Sequence, residues 1–373
     1  MIVTVTLNAA LHVAYTVLAP GGTTPPNSPE KTIPTSRPVY RAGGRGVTVA
    51  RVLRAFGHDV LAAGLAGGAS GELIIQDLAR SGVPTAFTLI RAESRRFFRF
   101  GRPDSGEQPL RFSEPGPYIT TEELGRFATD YRRLLAGAAA VVLCGSLPDG
   151  LPADTYGSLV TYAVEAGVPV ILDAGGEELK HAVGHGPDLV VAESSAAGPG
   201  TRGFGADLIR LGAGAAAVAV GGQVHAVTAD GEWTARLETA DDLRSDASYP
   251  PARGALVAGL VPGQLLGWSW PDRLRHALAL AAGGAGPRTR APGGPEEREE
   301  GGARDHVDLA AYERLLDAVR VEPPTRGYFK ELLSDHSGCA RVWIRLTNSP
   351  PKSRPSQFPD PKLEWSDREQ MAN

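Results

Sequence analysis

Cysteine is almost missing from this chain: 373 residues carry Cys144 and Cys339, far apart and without CxxC spacing. That pattern excludes a disulfide framework and a thiolate metal site, and it fits a reducing compartment, so a cytoplasmic location is expected. A surplus of positive charge is missing too. The formal net charge is −4, whereas a sequence-independent grip on nucleic acid or an anionic membrane needs clustered Lys and Arg. Small-molecule chemistry is the expectation. No apolar run approaches the roughly 20 residues of a membrane span. The opening "MIVTVTLNAAL" has no basic n-region and alternates β-branched residues, so it reads as a strand and not as a signal peptide.

What the chain does have is apolar residues, 42% of the total, ample for a large buried core. Apolar β-rich runs alternate with helical patterns. "GVTVARVLRAFG" places Val49, Val52, Leu53 and Phe56 at helical spacing and closes on Gly57. "DVLAAGLAG" and "PTAFTLI" read as strands on either side of the helix "GELIIQDLARSG". "RRFFRFGRPDSGEQPLRF" reads as a hairpin around a Pro-Asp-Ser-Gly turn, and "TEELGRFATDYRRLLAG" as a helix with a Thr cap. "AAVVLCG", "VPVILDAG" and "DLVVAES" are continuous apolar runs, as expected of strands buried on both faces of a parallel sheet. The fold class is therefore α/β, a doubly wound, mostly parallel sheet. The Pro-rich residues 19–39 predict a loop or a poorly paired edge, and the Gly, Pro and charge of 284–306 predict a flexible insertion. "HVDLAAYERLLDAVRVEP" predicts a helix and a short strand, and residues 324–373 a disordered tail.

Two glycine-bearing loops follow buried strands or precede helices. In "AGGRGVTVARVL" (42–53) Gly43 and Gly44 stand directly before a helix, where backbone N–H groups and the positive dipole end face an anionic or hydroxyl-rich ligand. In "LCGSLPDGLPADTY" Gly145 and Ser146 stand just past a strand, at the edge where α/β sheets bind ligands. Taken singly, each reads equally well as a tight turn.

In their order these segments resemble the PfkB carbohydrate kinases of the ribokinase-like fold, and within them the 1-phosphofructokinase and tagatose-6-phosphate kinase branch. The segments that carry the resemblance are "TLNAALH", "AGGRGVTVARVL", "GSLPDGLPADTY", "VVAESSA" and "PARGALVAGL", with "EPGP" at 114–117 and "ILDAGGEEL" at 171–179. The resemblance implies a kinase domain over 1–323, a small β lid from about 10–40 and 86–113, ATP and Mg2+ as cofactors, a sugar phosphate as partner and a homodimer through the lid. Neither nucleic acid nor membrane is an expected partner, and no metal ligands are expected from this chain. His181 and His185, four apart, read as a solvated loop, because Gly184 and Gly186 break their helix.

The resemblance also assigns residues, and several depart from the family's pattern. The family's sugar-binding Asp falls on His12, its Lys on Arg45 and its Asn on Thr48. Arg95 and Ser146 match family residues of the sugar-phosphate site, which with Gly43 and Gly44 makes the expected substrate set. The nucleotide side falls on Glu193, Ala219, Gly221 and Gly222, with Ala196 where a Glu would help organise magnesium. The family's "GAGD" turn falls on Pro251, Ala252, Arg253 and Gly254, so its catalytic Asp is replaced by Gly254. Glycine accepts no proton, and proline supplies no N–H to an anion hole. The expectation is a degenerate homologue, a pseudoenzyme that keeps sugar-phosphate binding. The alternative is an active kinase of the 1-phosphofructokinase type with a base relocated to Asp246 through a bent "SYPP" segment, Asp242 and Asp241 lying farther upstream, and a third reading is a decaying reading frame.

Overall fold

A computed structural model describes residues 1–18, 33–102, 108–194, 199–220, 222–237, 251–283 and 309–322. In chain order the elements begin with β1 (Ile2–Thr6), β2 (Ala10–Thr16), β3 (Val39–Gly43), α1 (Arg45–Ala55), β4 (Val60–Gly67), α2 (Gly68–Arg80), β5 (Thr85–Ile90), β6 (Arg95–Gly101) and β7 (Leu110–Ser113). They continue with α3 (Thr121–Leu135), β8 (Ala140–Cys144), α4 (Thr155–Glu165), β9 (Val170–Asp173), α5 (Gly176–Val183), β10 (Leu189–Glu193), α6 (Pro199–Leu211) and β11 (Ala215–Val220). The last are β12 (Gln223–Thr228), β13 (Glu232–Leu237), α7 (Pro251–Leu266), α8 (Trp270–Gly283), α9 (Leu309–Ala318) and β14 (Val319–Glu322).

The apolar runs are strands of one ten-stranded sheet in the order β14-β13-β12-β11-β10-β9-β8-β1-β4-β5. Their side chains alternate between two cores: Ile2, Ala140, Val142 and Cys144 face one, and Val3, Val5, Val141 and Leu143 face the other. The first core is closed by α1, α2, α7, α8 and α9, through residues such as Val49, Ile74, Val257, Leu274 and Leu315. The second is closed by α3, α4, α5 and α6, through Phe127, Leu159, Leu179 and Leu208. Burial on both faces is why these strands lack polar alternation. The strands from β5 to β11 are parallel, and β12, β13 and β14 turn back as an antiparallel meander. That antiparallel end was not anticipated from the sequence.

A second sheet has four strands in the order β3-β2-β6-β7, with the 95–113 hairpin as its β6–β7 pair. Residues 86–90, placed in the lid from the sequence, belong instead to the edge strand β5 of the large sheet, because "TAFTLI" pairs in parallel register with β4. Arg126 donates to the Leu89 carbonyl at 3.1 Å, giving one acceptor of that open edge a partner. The small sheet is pinned by Asp77, whose carboxylate accepts from the Ala42 amide at 2.6 Å and pairs with Arg51; Arg51 also donates to the Ala42 carbonyl at 2.9 Å. The Thr cap is Thr120, one residue ahead of the segment read as a helix, and it forms a capping box: Thr120 accepts from the Glu123 amide at 3.3 Å, and Glu123 accepts from the Thr120 amide at 2.9 Å. The insertion expected over 284–306, the tail over 324–373 and Cys339 lie outside the described residues.

Candidate active site and its altered turn

From β1 the chain runs outward to β4 and β5, and later fills the other side of the sheet with β8, β9 and β10. The order reverses between β1 and β8, and the carboxyl ends of strands at such a point form the ligand crevice of an open α/β sheet. Asn8, two residues past β1, is buried there. Its side-chain amide donates to Ser146 Oγ at 3.2 Å and to the Leu147 carbonyl at 3.4 Å, and its Oδ1 makes no hydrogen bond. Arg95, at the start of β6, donates through Nε to the Asn8 carbonyl at 3.3 Å. These contacts bring together Ser146 and Arg95, two residues expected from the sequence, around Asn8, which had not been singled out.

His12 and the two glycines share one corner. A Cβ on Gly43 would stand 2.2 Å from His12 Nε2, so only glycine lets β3 pass the imidazole ring. His12 also lies against Phe97 with ring centroids 5.1 Å apart. Burial, then Arg95 and Arg51, lowers its pKa from 6.5 to about 4, so the ring is neutral at pH 7. Gly44 is the N-cap of α1 at φ 125, and no side chain caps the helix. Arg45 opens α1, and its guanidinium reaches Asp173 Oδ1 at 3.4 Å while remaining 30% exposed.

The start of α7 is built differently. Pro251 stands at the first helical position, where its missing N–H costs little. Arg253 sends its guanidinium to the strand ends: Nη2 is 2.6 Å from Asp173 Oδ1, 3.2 Å from the Val191 carbonyl and 3.4 Å from the Ala174 carbonyl, and Nη1 is 3.4 Å from Glu193 Oε2. Asp173 ends β9 and is wholly buried, 0% exposed. Burial pushes its carboxyl above the ordinary value, with Arg253 and then Arg45 pulling it back. Gly254 is buried against α1: a Cβ there would lie 2.9 Å from both Cβ and Cγ2 of Thr48. Thr48, half-buried and expected in the substrate set, donates from Oγ1 to the Gly44 carbonyl at 3.2 Å.

On the nucleotide side, Glu193 ends β10, pairs with Arg253 and is 69% exposed. Ala219 and Gly222 (φ 79) flank the β11–β12 hairpin. Gly221, Ala196, Asp241, Asp242 and Asp246 lie outside the described residues, as do the side chains of Pro251 and Ala252. His185 packs on Gly157 of α4 and bonds Thr161 at 2.8 Å, a contact between α4 and the end of α5. A separate groove of about 580 Å³ runs between β5 and α3, lined by Phe87, Leu89, Arg126 and Asp130 among others. It holds none of the crevice or α7 residues of this site and lies at the β5 edge of the sheet.

The sequence pointed to Arg253 as a departure but not to its target. Asp173 was readable as the one charge that ends an otherwise apolar run, and Asn8 as the polar residue just past the first strand.

A parallel sheet covered on both faces, with a four-stranded lid and a crevice at its switch point, is the ribokinase-like architecture of carbohydrate kinases. The profile of the "pfkB family carbohydrate kinase" matches residues 17–197. The fold is shared with phosphofructokinase-2 from Escherichia coli in complex with potassium, at 22% identity and TM-score 0.69, covering 85% of this chain and 98% of that one. A Thermotoga maritima protein described as "Possible 1-phosphofructokinase" gives 22% identity and TM-score 0.68 over 86% and 98% of the two chains. A carbohydrate kinase from Agrobacterium tumefaciens gives 17% identity and TM-score 0.62 over 86% and 99%. The profile covers just under half of the chain, and these solved structures share its fold at 17–22% identity.

The family implies ATP and metal-dependent phosphotransfer in general. The two carboxylates at the strand ends do not fit a divalent ion as they stand, because Asp173 and Glu193 are both engaged by Arg253.

Proposed function

We propose that this chain is a sugar-phosphate-binding homologue of the 1-phosphofructokinase and tagatose-6-phosphate kinase branch whose phosphotransfer is lost or reduced to a trace. The observation that carries this reading is the start of α7: residue 254 has no side chain, and a Cβ there would stand 2.9 Å from Thr48. Asp173 does not take over as base. It is buried, and its Oδ1 is shared by two guanidiniums. A positioned base supplies roughly 10²–10⁴ in rate and an anion-hole donor about 10²–10³. From a typical turnover of about 10 per second, the combined loss leaves about 10⁻³ per second or less.

Binding of the sugar phosphate is assigned to Gly43, Gly44, Arg45, Arg95 and Ser146, with neutral His12 as a hydrogen-bonding neighbour. Arg45 is partly exposed, and guanidinium matches phosphate geometry. A homodimer through the small sheet belongs to the same reading, supported by exposed Val39 and Tyr40 on β3 and Leu110 and Phe112 on β7.

The test is a coupled ADP-release assay with fructose 1-phosphate, fructose 6-phosphate and tagatose 6-phosphate, run beside thermal melts with the same sugars. The reading predicts turnover below about 10⁻² per second together with a sugar-dependent rise in Tm, since a ligand of the native state stabilises it. Turnover near one per second defeats the loss of chemistry. Flat melts with all three sugars defeat the binding assignment, and flat melts with poor soluble expression favour a decaying reading frame.

A further inference from the structure

Four oxygens converge on one guanidinium at the carboxyl ends of β9 and β10. They are Asp173 Oδ1 at 2.6 Å, the Val191 carbonyl at 3.2 Å, the Ala174 carbonyl at 3.4 Å and Glu193 Oε2 at 3.4 Å, and Arg253 carries the cation. Two carboxylates and two backbone carbonyls form an all-oxygen donor set of the kind that binds a hard divalent cation. Asp173 adds a second sign of cation demand: it is 0% exposed, and its Oδ2 makes no hydrogen bond.

We propose that Arg253 is a tethered cation, which takes the place of a free divalent ion at this strand edge and makes the edge independent of metal. The charges support it. Asp173 and Glu193 contribute two negative charges, matched by Arg253 and Arg45, so the cluster as built is neutral. A divalent ion added among these oxygens would displace the guanidinium into a crowded helix start or lie beside it uncompensated. Removing Arg253 leaves a net negative charge and frees three of the four oxygens from any pairing described above, while Asp173 retains Arg45. Mg2+ and Mn2+ complete such partial sets with water, so the donors need not close on the ion from every side. The distances come from the strand-edge contacts alone and do not depend on sugar-phosphate binding.

The test uses Mn2+ alone, read as loss of the free-ion electron paramagnetic resonance signal on titration into the full chain. Wild type is expected to show no Mn2+ site that depends on Asp173. Arg253→Ala is expected to gain one site per chain, at least about tenfold tighter than anything in wild type, and to lose it in Arg253→Ala/Asp173→Asn. Arg253→Gln, which keeps part of the side chain's bulk and an N–H donor group without the charge, is expected to gain the same site. If the neutral variants fold poorly, Mn2+ is expected to restore their circular dichroism and raise their Tm. The proposal is overturned by a wild-type Mn2+ site that Asp173→Asn removes, by folded neutral variants that bind no tighter than wild type, or by unfolded ones that Mn2+ does not rescue.

Discussion

The crevice between β1 and β8 and the first turn of α7 sit at the same carboxyl edge of the sheet, yet they use their polar groups in opposite ways. At the crevice, Asn8 Oδ1 has no hydrogen bond, no side chain caps α1, and Arg45 keeps part of its guanidinium in solvent. These are groups with capacity left for a ligand. At α7, Arg253 holds Asp173, Glu193 and two carbonyls, and Gly254 fits against Thr48 without a side chain. There the charges are matched inside the protein. Side chains that satisfy one another make good structure and poor chemistry, and that is how the fold would persist under the proposed loss of phosphotransfer.

The largest expected effect falls on the α7 side. Asp173→Asn leaves Arg253 and Arg45 without their shared buried carboxylate, and breaking a buried pair in this way costs about 3–5 kcal/mol. Urea denaturation measures it, and a loss under about 1 kcal/mol would show that the cluster is not structural. Next comes the crevice. Arg95→Ala is expected to weaken sugar-phosphate binding about 10- to 100-fold by calorimetry, the cost of one hydrogen bond to a charged group, with little change in Tm. Equal affinity would remove Arg95 from the site and blur the contrast between the two regions.

Gly254→Ala probes the fit against Thr48 and is expected to destabilise by about 1–3 kcal/mol, the usual cost of overpacking. Thr48→Gly in the same chain should recover much of that loss, and a double-mutant cycle without coupling would contradict the contact. By the same geometry Gly254→Asp alone restores no turnover. A further effect is on pH. His12 and His276 have folded pKa values of about 4, below the ordinary 6.5, so the unfolded chain binds more protons in that window. Stability should therefore fall as pH drops from 6.5 to 4, by up to about 1.4 kcal/mol per pH unit for each ring. His12→Gln should flatten that slope if burial at the crevice is the cause.

The parts of this structure that could be read in the sequence are those fixed by neighbours in the chain. Continuous apolar runs such as "AAVVLCG" announced buried parallel strands, a threonine with early acidic residues announced the start of α3, and two β-prone runs announced the β6–β7 pair, whose turn lies outside the described residues. Of the antiparallel end, only β14 was read as a strand, and β12 and β13, joined to β11 and to each other by tight turns, escaped notice. Two contacts were beyond sequence reasoning. Arg253 finds the Ala174 carbonyl 79 residues upstream, and Thr48 meets Gly254 only because α1 and α7 pack side by side. The proposed loss of a base at Gly254 is legible only through the resemblance to the family's motif, since a glycine at a helix start carries no signal of what it replaced.

The most direct measurement is a single-turnover quench with protein in excess over radiolabelled ATP and with sugar phosphate saturating. The account predicts sugar bisphosphate forming at about 10⁻³ per second or slower. A burst at about one per second or faster, from a chain that still carries Gly254 and Arg253, would contradict it.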